Sequence, residues 1–400
     1  MAEDAGDSIA AMEPLGISDT SRHRAALAEL AFELTQKSAS FKGSLQPTIV
    51  TSLANLVRSM NCYYSNLIEG HDTHPIDIER ALNSDFSADP KKRDLQLEAK
   101  AHISVQKWID DGGLMGNSGV TENGIKEIHK RFYDEVPEEL KFAVNPDTGE
   151  RIRVIGGQYR ANYVQVGRLV PISAGAIPRF MKRFEDYYSK LPKLETVMSA
   201  AAAHHRLAWI HPFNDGNGRV TRLMSHAMLS NALDTGAIWS ISRGLARNSD
   251  RYKALLAACD MTRRNDLDGR GTLSEESLAE FTSFFLRVCI DQVEFMEGLM
   301  QPKTLQTRIK MWVEEEIRLG NLNQKSGLIL DALLFNRGEL GRGEVAGIIG
   351  VEDRHARRIV SPLIEAGIIS SESSRAPLKL SFPAKLASRL MPGLFPDRVD

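Results

Sequence analysis

His211-Pro212-Phe213-Asn214-Asp215-Gly216-Asn217-Gly218-Arg219-Val220-Thr221-Arg222 lies between two apolar, helix-like segments of a 400-residue chain. It holds an imidazole, a carboxylate, two glycines flanking an amide and two guanidinium groups. A loop of that composition cannot be filling a core. Gly216-Asn217-Gly218 precedes a helical run, and free N–H groups at a helix start form an anion site. Glycines let a ligand approach the backbone closely. Arg219 and Arg222, three apart, project from one side of the first turn, and their forks of donors match phosphate oxygens. Asp215 offers a hard oxygen ligand for a Mg²⁺ bridging phosphates. His211 carries an imidazole whose ordinary pKa, ~6.5, suits a general base for a hydroxyl. Each part alone is common in structural settings. Their order within a dozen contiguous residues makes the stretch chemical.

The chain around this loop reads as mainly helical. Residues 1–45 are expected to be a flexible lead-in, 1–20, and a helix from about Ser21 to Lys37. Leu53, Leu56, Val57, Met60, Tyr64, Leu67 and Ile68 then share a helical stripe over about 53–70. It ends in Ser65-Asn66-Leu67-Ile68-Glu69-Gly70, with Gly70 as a natural stop. Glu69 is at the wrong end of that helix for an anion, which points to a cationic partner. Helical patterns follow at Ile76–Leu82, Arg93–Ile109, Thr121–Arg131, Ala176–Leu191, Glu195–Trp209, Thr221–Leu233, Asp250–Thr262 and Ser274–Met300. Between them, about 151–170 alternates polar and apolar residues around Gly156-Gly157, the pattern of a β-hairpin. The expected catalytic core spans 46–300.

Behind a charged connector, 301–325, the pattern changes again. Helices at Gly327–Phe335, Arg342–Ile348 and Glu352–Ala366, with strands at Gly367–Ile369 and Leu378–Leu380, predict a winged helix-turn-helix over 326–384. A tail, 385–400, follows. Arg354, His355, Arg357 and Arg358 give the third helix a basic face, with Arg375 and Lys379 on the ribbon, although Glu352 and Asp353 dilute it.

The totals narrow the function. Net charge is -2, from 50 basic and 52 acidic residues, so the chain is no bulk binder of nucleic acid or membrane. Cys62, Cys259 and Cys289 show neither metal spacing nor a disulfide framework. No secretory layout or membrane-length apolar run is present, and a cytoplasmic protein without membrane partners is expected.

The pattern His-x-Phe-x-Asp/Glu-Gly-Asn-Gly-Arg-x-x-Arg resembles the signature of Fic-domain proteins. This chain matches it at His211, Phe213, Asp215, Gly216, Asn217, Gly218, Arg219 and Arg222; the resemblance covers roughly 50–300, including His204 in the preceding helix. It implies a Fic-type helical core and transfer of AMP from ATP to a Ser, Thr or Tyr hydroxyl of a protein. His211 would be the base and Asp215 the Mg²⁺ ligand. Gly216, Asn217, Gly218 and Arg219 would hold the α- and β-phosphates, and Arg222 the γ-phosphate. Arg247, Asn248 and Tyr252 fall where the family lines its nucleoside pocket. The hairpin would be a flap that docks the target. Ser65, Glu69 and Gly70 resemble the inhibitory motif of some Fic proteins, in which the glutamate pairs with the second arginine, here Arg222. The implied partners are a target protein, the chain itself as a target, DNA through the winged helix, and a second copy of the chain. Alternatives at the same site are removal of AMP, transfer of another phosphate-containing group, or a nucleotide-sensing DNA-binding regulator.

Overall fold

The computed structural model describes residues 2–144, 149–167, 169–335 and 338–396. The chain opens with a helix α1 (Arg24–Gly43), followed by α2 (Pro47–Ile68), α3 (Pro75–Leu82), α4 (Pro90–Trp108) and α5 (Glu122–Glu135). Strands β1 (Phe142–Val144) and β2 (Arg151–Arg153) form an antiparallel pair with Ala143 opposite Ile152. Then come α6 (Ile177–Tyr188), α7 (Lys193–Ile210), α8 (Asn217–Leu233), α9 (Ile241–Arg247), α10 (Ser249–Ala258) and α11 (Glu275–Met300).

The core is organised around α7 and α8, which pack on one another and are buried on nearly every side. Ala200, Ala201, Ala202 and Ala203 are all buried, and their small side chains let neighbouring helices approach closely. Helices α1, α6 and α11 pack on α7, α5 packs on α8, and α2 packs on α4 and α9. The turn between α7 and α8 is the stretch from His211 to Gly216, so the functional loop sits at one end of a buried helical hairpin. Among the described residues no helix is long and apolar enough to cross a membrane.

Beyond α11 lie α12 (Pro302–Arg318), α13 (Ser326–Phe335), β3 (Glu339–Leu340), α14 (Val345–Ile349), α15 (Asp353–Glu365), β4 (Ile369–Ser370), β5 (Leu378–Leu380) and a short α16 (Ala387–Leu390). The strands form one antiparallel sheet ordered β3-β5-β4, with Leu340 opposite Leu378 and Ile369 opposite Leu380. The chain end returns to α2. The Tyr64 hydroxyl donates to the Leu394 carbonyl at 3.0 Å, the Tyr63 ring meets Phe395 edge-on at 5.7 Å, and Arg243 donates to the Gly393 carbonyl at 2.8 Å.

Three expectations are corrected. Residues 1–20 are not a flexible lead-in: Met12, Leu15 and Ile17 are buried, Asp4 and Glu13 pair with Arg179 and Arg183, and Arg206 donates to the Pro14 carbonyl. Little of this segment is helical, so it carries no periodicity to betray its burial. The hairpin lies earlier than 151–170, pairing 142–144 with 151–153; beyond Val154 the chain is irregular apart from one Val166–Leu169 bridge. Residues Tyr163 to Gly167 of it line a cleft without forming a strand. Residue 168 of that expected hairpin, and 397–400 of the expected tail, lie outside the described residues. Finally, Leu67 is exposed, because α2 is leaving the core at its last turn.

Several histidines are buried here without charge. Burial pushes His102 and His204 down to about 3, helped by the Arg222 charge, and His205 down to about 4, helped by Arg206. A histidine depressed on folding binds fewer protons folded than unfolded, so its contribution is present above ~6.5 and lost as pH falls toward the folded value. The melting temperature should therefore hold steady above neutrality and fall progressively between about pH 6.5 and 4. A flat profile across that window would show that these three rings are not neutral in the core.

Candidate active site

The α7 helix ends abruptly at His211, which takes a left-handed conformation (φ 50°, ψ 62°) while its N–H still bonds the Leu207 carbonyl. A left-handed residue other than glycine is strained and requires its surroundings to hold it. Arg160 supplies part of that hold. Nearly fully buried, it donates from Nε to the His211 carbonyl at 2.8 Å, and its backbone N–H bonds the Pro212 carbonyl at 2.9 Å. Asn217 closes the loop: its Oδ1 accepts from the Phe213 N–H at 2.9 Å and its Nδ2 donates to the Phe213 carbonyl at 2.8 Å. Asn217, expected at the cradle, thus spends its side chain on the loop. Phe213 is fully buried and stacks on His129, with centroids 3.8 Å apart.

One ring nitrogen of His211 is left free to accept a proton. Its Nδ1 lies 3.3 Å from the Ala208 carbonyl, which can only accept, so Nδ1 carries the proton and Nε2 the lone pair. Burial, reinforced by Arg160 and opposed by the Ala208 carbonyl, lowers its pKa to about 4, and the ring is neutral at pH 7. A cavity of about 430 Å³ opens beside it, walled by Val144 and Ile152 of the hairpin and by Tyr163 and Val166, with His211 and Asn214 at its edge.

Gly216 (φ 77°) caps the start of α8. Asp215, exposed just ahead of it, accepts from the Tyr133 hydroxyl at 2.8 Å through Oδ2. Its Oδ1 has no hydrogen bond among the described residues. No cluster of three or more metal-ligating side chains occurs among those residues. A single exposed carboxylate at an anion cradle fits Mg²⁺, which keeps several waters and takes its other ligands from phosphates.

Both arginines of the loop are engaged by carboxylates from outside it. Arg222 donates from Nε to the Ser65 hydroxyl at 2.8 Å and from Nη2 to Glu69 Oε1 at 2.5 Å. Arg219 donates to Glu98 at 2.6 Å and lies over the Phe132 ring. Burial opposes ionisation of Glu69, but the charge and hydrogen bond of Arg222, with Arg219 and His71 adding, keep its pKa below the usual range. Glu69 is the C-cap of α2 and Gly70 (φ 86°) ends the helix, which turns the carboxylate toward the cradle. A methyl group placed on Gly218 would collide with Glu69 Oε1, so that oxygen lies directly over the start of α8.

The structure brings Ser65, Glu69, His211, Asp215, Gly216, Gly218, Arg219 and Arg222 to one end of the helical hairpin. Tyr252 is buried, and its hydroxyl is 2.8 Å from His204 Nε2, so its polar edge is turned inward. Asn248, where α9 meets α10, bonds the Gly244 carbonyl at 2.9 Å. Sequence reasoning missed Glu98, His129, Tyr133 and Arg160. His129 and Tyr133, four apart on an otherwise apolar face, were the findable pair; Glu98 has no local signal.

Residues 119–229 match the Fic/DOC family. That stretch of the chain is similar to a Fic domain. Over 172 residues it is 32% identical to a protein adenylyltransferase Fic from Drosophila willistoni and 30% identical to one from Culex quinquefasciatus. Each match covers 42% of this chain and 31% of the relative, so the chain spans less than a third of those proteins. A crystal structure of a Fic family protein from Desulfovibrio desulfuricans has the same fold, with TM-score 0.51, 16% identity, and coverage of 92% of this chain and 98% of the other. Fic-1 from C. elegans gives a TM-score of 0.52 at 16% identity, covering 70% of this chain and 74% of the other. The Fic match contains the whole loop and α5, while Glu69 and Glu98 lie upstream of it.

Replacing Asn217 by Ala removes both clamps on Phe213 and leaves its buried N–H without a partner. A loss of about 2 kcal/mol is expected from chemical denaturation. An unchanged midpoint would mean that the loop holds its shape without the amide.

Proposed function

We propose that this Fic protein transfers AMP from ATP to a hydroxyl of a protein and is held in check by Glu69. The observation that carries this reading is the convergence of a neutral His211, a half-free Asp215 carboxylate and the N-terminus of α8, with Glu69 lying over that terminus. In the reaction the target hydroxyl oxygen attacks the α-phosphorus. The bond from that phosphorus to the bridging oxygen of the β-phosphate breaks, and pyrophosphate leaves. His211 Nε2 takes the hydroxyl proton as the new P–O bond forms. The backbone N–H groups of Gly216, Asn217 and Gly218 receive phosphate oxygens, the usual role of a helix start. Mg²⁺, held by Asp215 and phosphate oxygens, would offset charge building on the leaving group. The cleft between the hairpin and Tyr163 suits an extended target segment that brings its hydroxyl to His211.

The restraint is electrostatic and steric together. Glu69 occupies one donor of Arg222 and puts a negative charge where a polyphosphate must sit. Because 36% of the Glu69 side chain is exposed, the pair is partly solvated and can be displaced. The same exposure leaves its Oε2 able to orient water, which favours removal of AMP from a modified target as the second reading. For the C-terminal unit, helices α13–α15 with a three-stranded sheet support the winged-helix reading. Arg354, Arg357 and Arg358 are exposed and have no ion pair among the described residues, which supports contact with DNA phosphates.

Substituting Glu69 by Gly should raise AMP incorporation by at least tenfold, read by mass spectrometry after incubation with ATP and Mg²⁺. An unchanged rate in a folded variant would remove Glu69 as the restraint. Supplying an already modified target to wild type and to this variant separates the two readings, since only removal needs the carboxylate. The His211→Ala change should abolish transfer yet retain ATP binding by calorimetry. Residual transfer near the parent rate would rule out His211 as the base.

A further inference from the structure

Helix α5 carries two polar side chains on a buried face, one turn apart, and both end on Asp215. The Tyr133 hydroxyl donates to Asp215 Oδ2 at 2.8 Å, and the ring is almost fully buried. His129 reaches the backbone of the same residue: its Nε2 is 3.2 Å from the Asp215 carbonyl. Its Nδ1 accepts the Gly157 N–H at 2.8 Å. Since a carbonyl only accepts and an N–H only donates, the ring must carry its proton on Nε2. His129 is fixed further by stacking on Phe213, with the planes 13° apart. The absence of a side chain at Gly216 lets the Tyr133 ring close in, because a Cβ there would lie 3.1 Å from it.

We propose that Tyr133 and His129 are positioning residues that orient Asp215 for its metal, Tyr133 through the carboxylate and His129 through the backbone. This rests on the nucleotide-site reading above. The geometry divides the labour. Tyr133 takes Oδ2 and leaves Oδ1 directed outward, so one rotamer of an exposed aspartate is selected before any ligand arrives. His129 joins the Asp215 backbone to Gly157, at the edge of the irregular segment that walls the target cleft. The backbone of the metal-facing residue and the start of the segment that walls the cleft are therefore joined through one ring. Among the described residues no other side chain bonds Asp215, so without Tyr133 its carboxylate would turn freely. Outer partners of metal ligands set metal affinity by about 10–100-fold.

The test uses the full chain with Glu69→Gly as parent, so that the restraint does not mask nucleotide binding. ATP affinity is measured by calorimetry in chelator and across a Mg²⁺ series, with Mn²⁺ as a second probe read by electron paramagnetic resonance. Adding Tyr133→Phe should leave the metal-free ATP affinity unchanged. The metal concentration giving half of the metal-dependent gain should rise about tenfold or more. In an Asp215→Ala background, which lacks that gain, Tyr133→Phe should have no further effect. His129→Gln, which keeps a donor but loses the stacked ring, should shift the metal midpoint in the same direction as Tyr133→Phe. An unshifted midpoint in a Tyr133→Phe protein that melts like its parent would overturn the inference. So would an equal loss of ATP affinity with and without metal, which is the mark of a merely structural role. If the parent binds no ATP in any condition, the nucleotide-site reading fails and the inference falls with it; normal ATP binding with an unshifted midpoint sinks the inference alone.

Discussion

Two helices buried on almost every side are joined by a turn of six residues, and that turn must reverse the chain without covering its own polar groups. Left-handed backbone at His211 and Gly216 makes the reversal possible, and the Asn217 side chain together with Arg160 satisfies the backbone groups that the reversal exposes inside. Everything chemical about the site follows from this constraint. The imidazole is held by the end of one helix, and Gly216 and Gly218 lie at the start of the next. A loop free to move could not keep these two ends in fixed relation, whereas one tied into the core can.

The same economy governs charge. Two arginines lie at the start of α8, each with most of its side chain out of water, and a buried guanidinium needs a counter-charge. Nucleotide phosphates could supply it, but the resting chain supplies its own, from Glu69 to Arg222 and from Glu98 to Arg219. The carboxylates come from different helices and differ in exposure, 36% of the side chain for Glu69 and 16% for Glu98. The more exposed one is the easier to displace, because its desolvated interaction is the smaller. The arginines are thus stable without ligand, each held by a carboxylate from another helix.

Much of this could be read from the chain alone, for reasons that differ by element. The loop was legible because its residue types, at their spacing, have no use in a core. Glu69 was legible because a carboxylate at a helix C-terminus contradicts the dipole and needs an explanation, which Arg222 supplies. The hairpin lies earlier than its alternation suggests, because a polar–apolar pattern does not by itself supply a pairing partner, and Tyr163 to Gly167 line a cleft instead. Met12 and Leu15 show no period that betrays their burial, because one short 3₁₀ turn and irregular chain dock there by a few side chains. Glu98 was beyond reach: it is one of 52 acidic residues of the chain, and only the fold reveals that it faces Arg219. Tyr133 and His129 hid on an apolar face, where aromatic and imidazole rings are ordinarily packing.

The contact between Tyr64 and Leu394 bears on the order in which the molecule comes together. It spans 330 positions of sequence, whereas Glu69 and Arg222 are 153 apart. Contacts between such distant parts of a chain form late, since the entropy of closing the intervening loop must first be overcome. The turn between α7 and α8, which adjoin in sequence, can assemble before Leu394 and Phe395 arrive to buttress α2. Shaping of the loop and buttressing of the helix that carries Glu69 are therefore separate acquisitions in folding, and the second waits for Leu394 and Phe395.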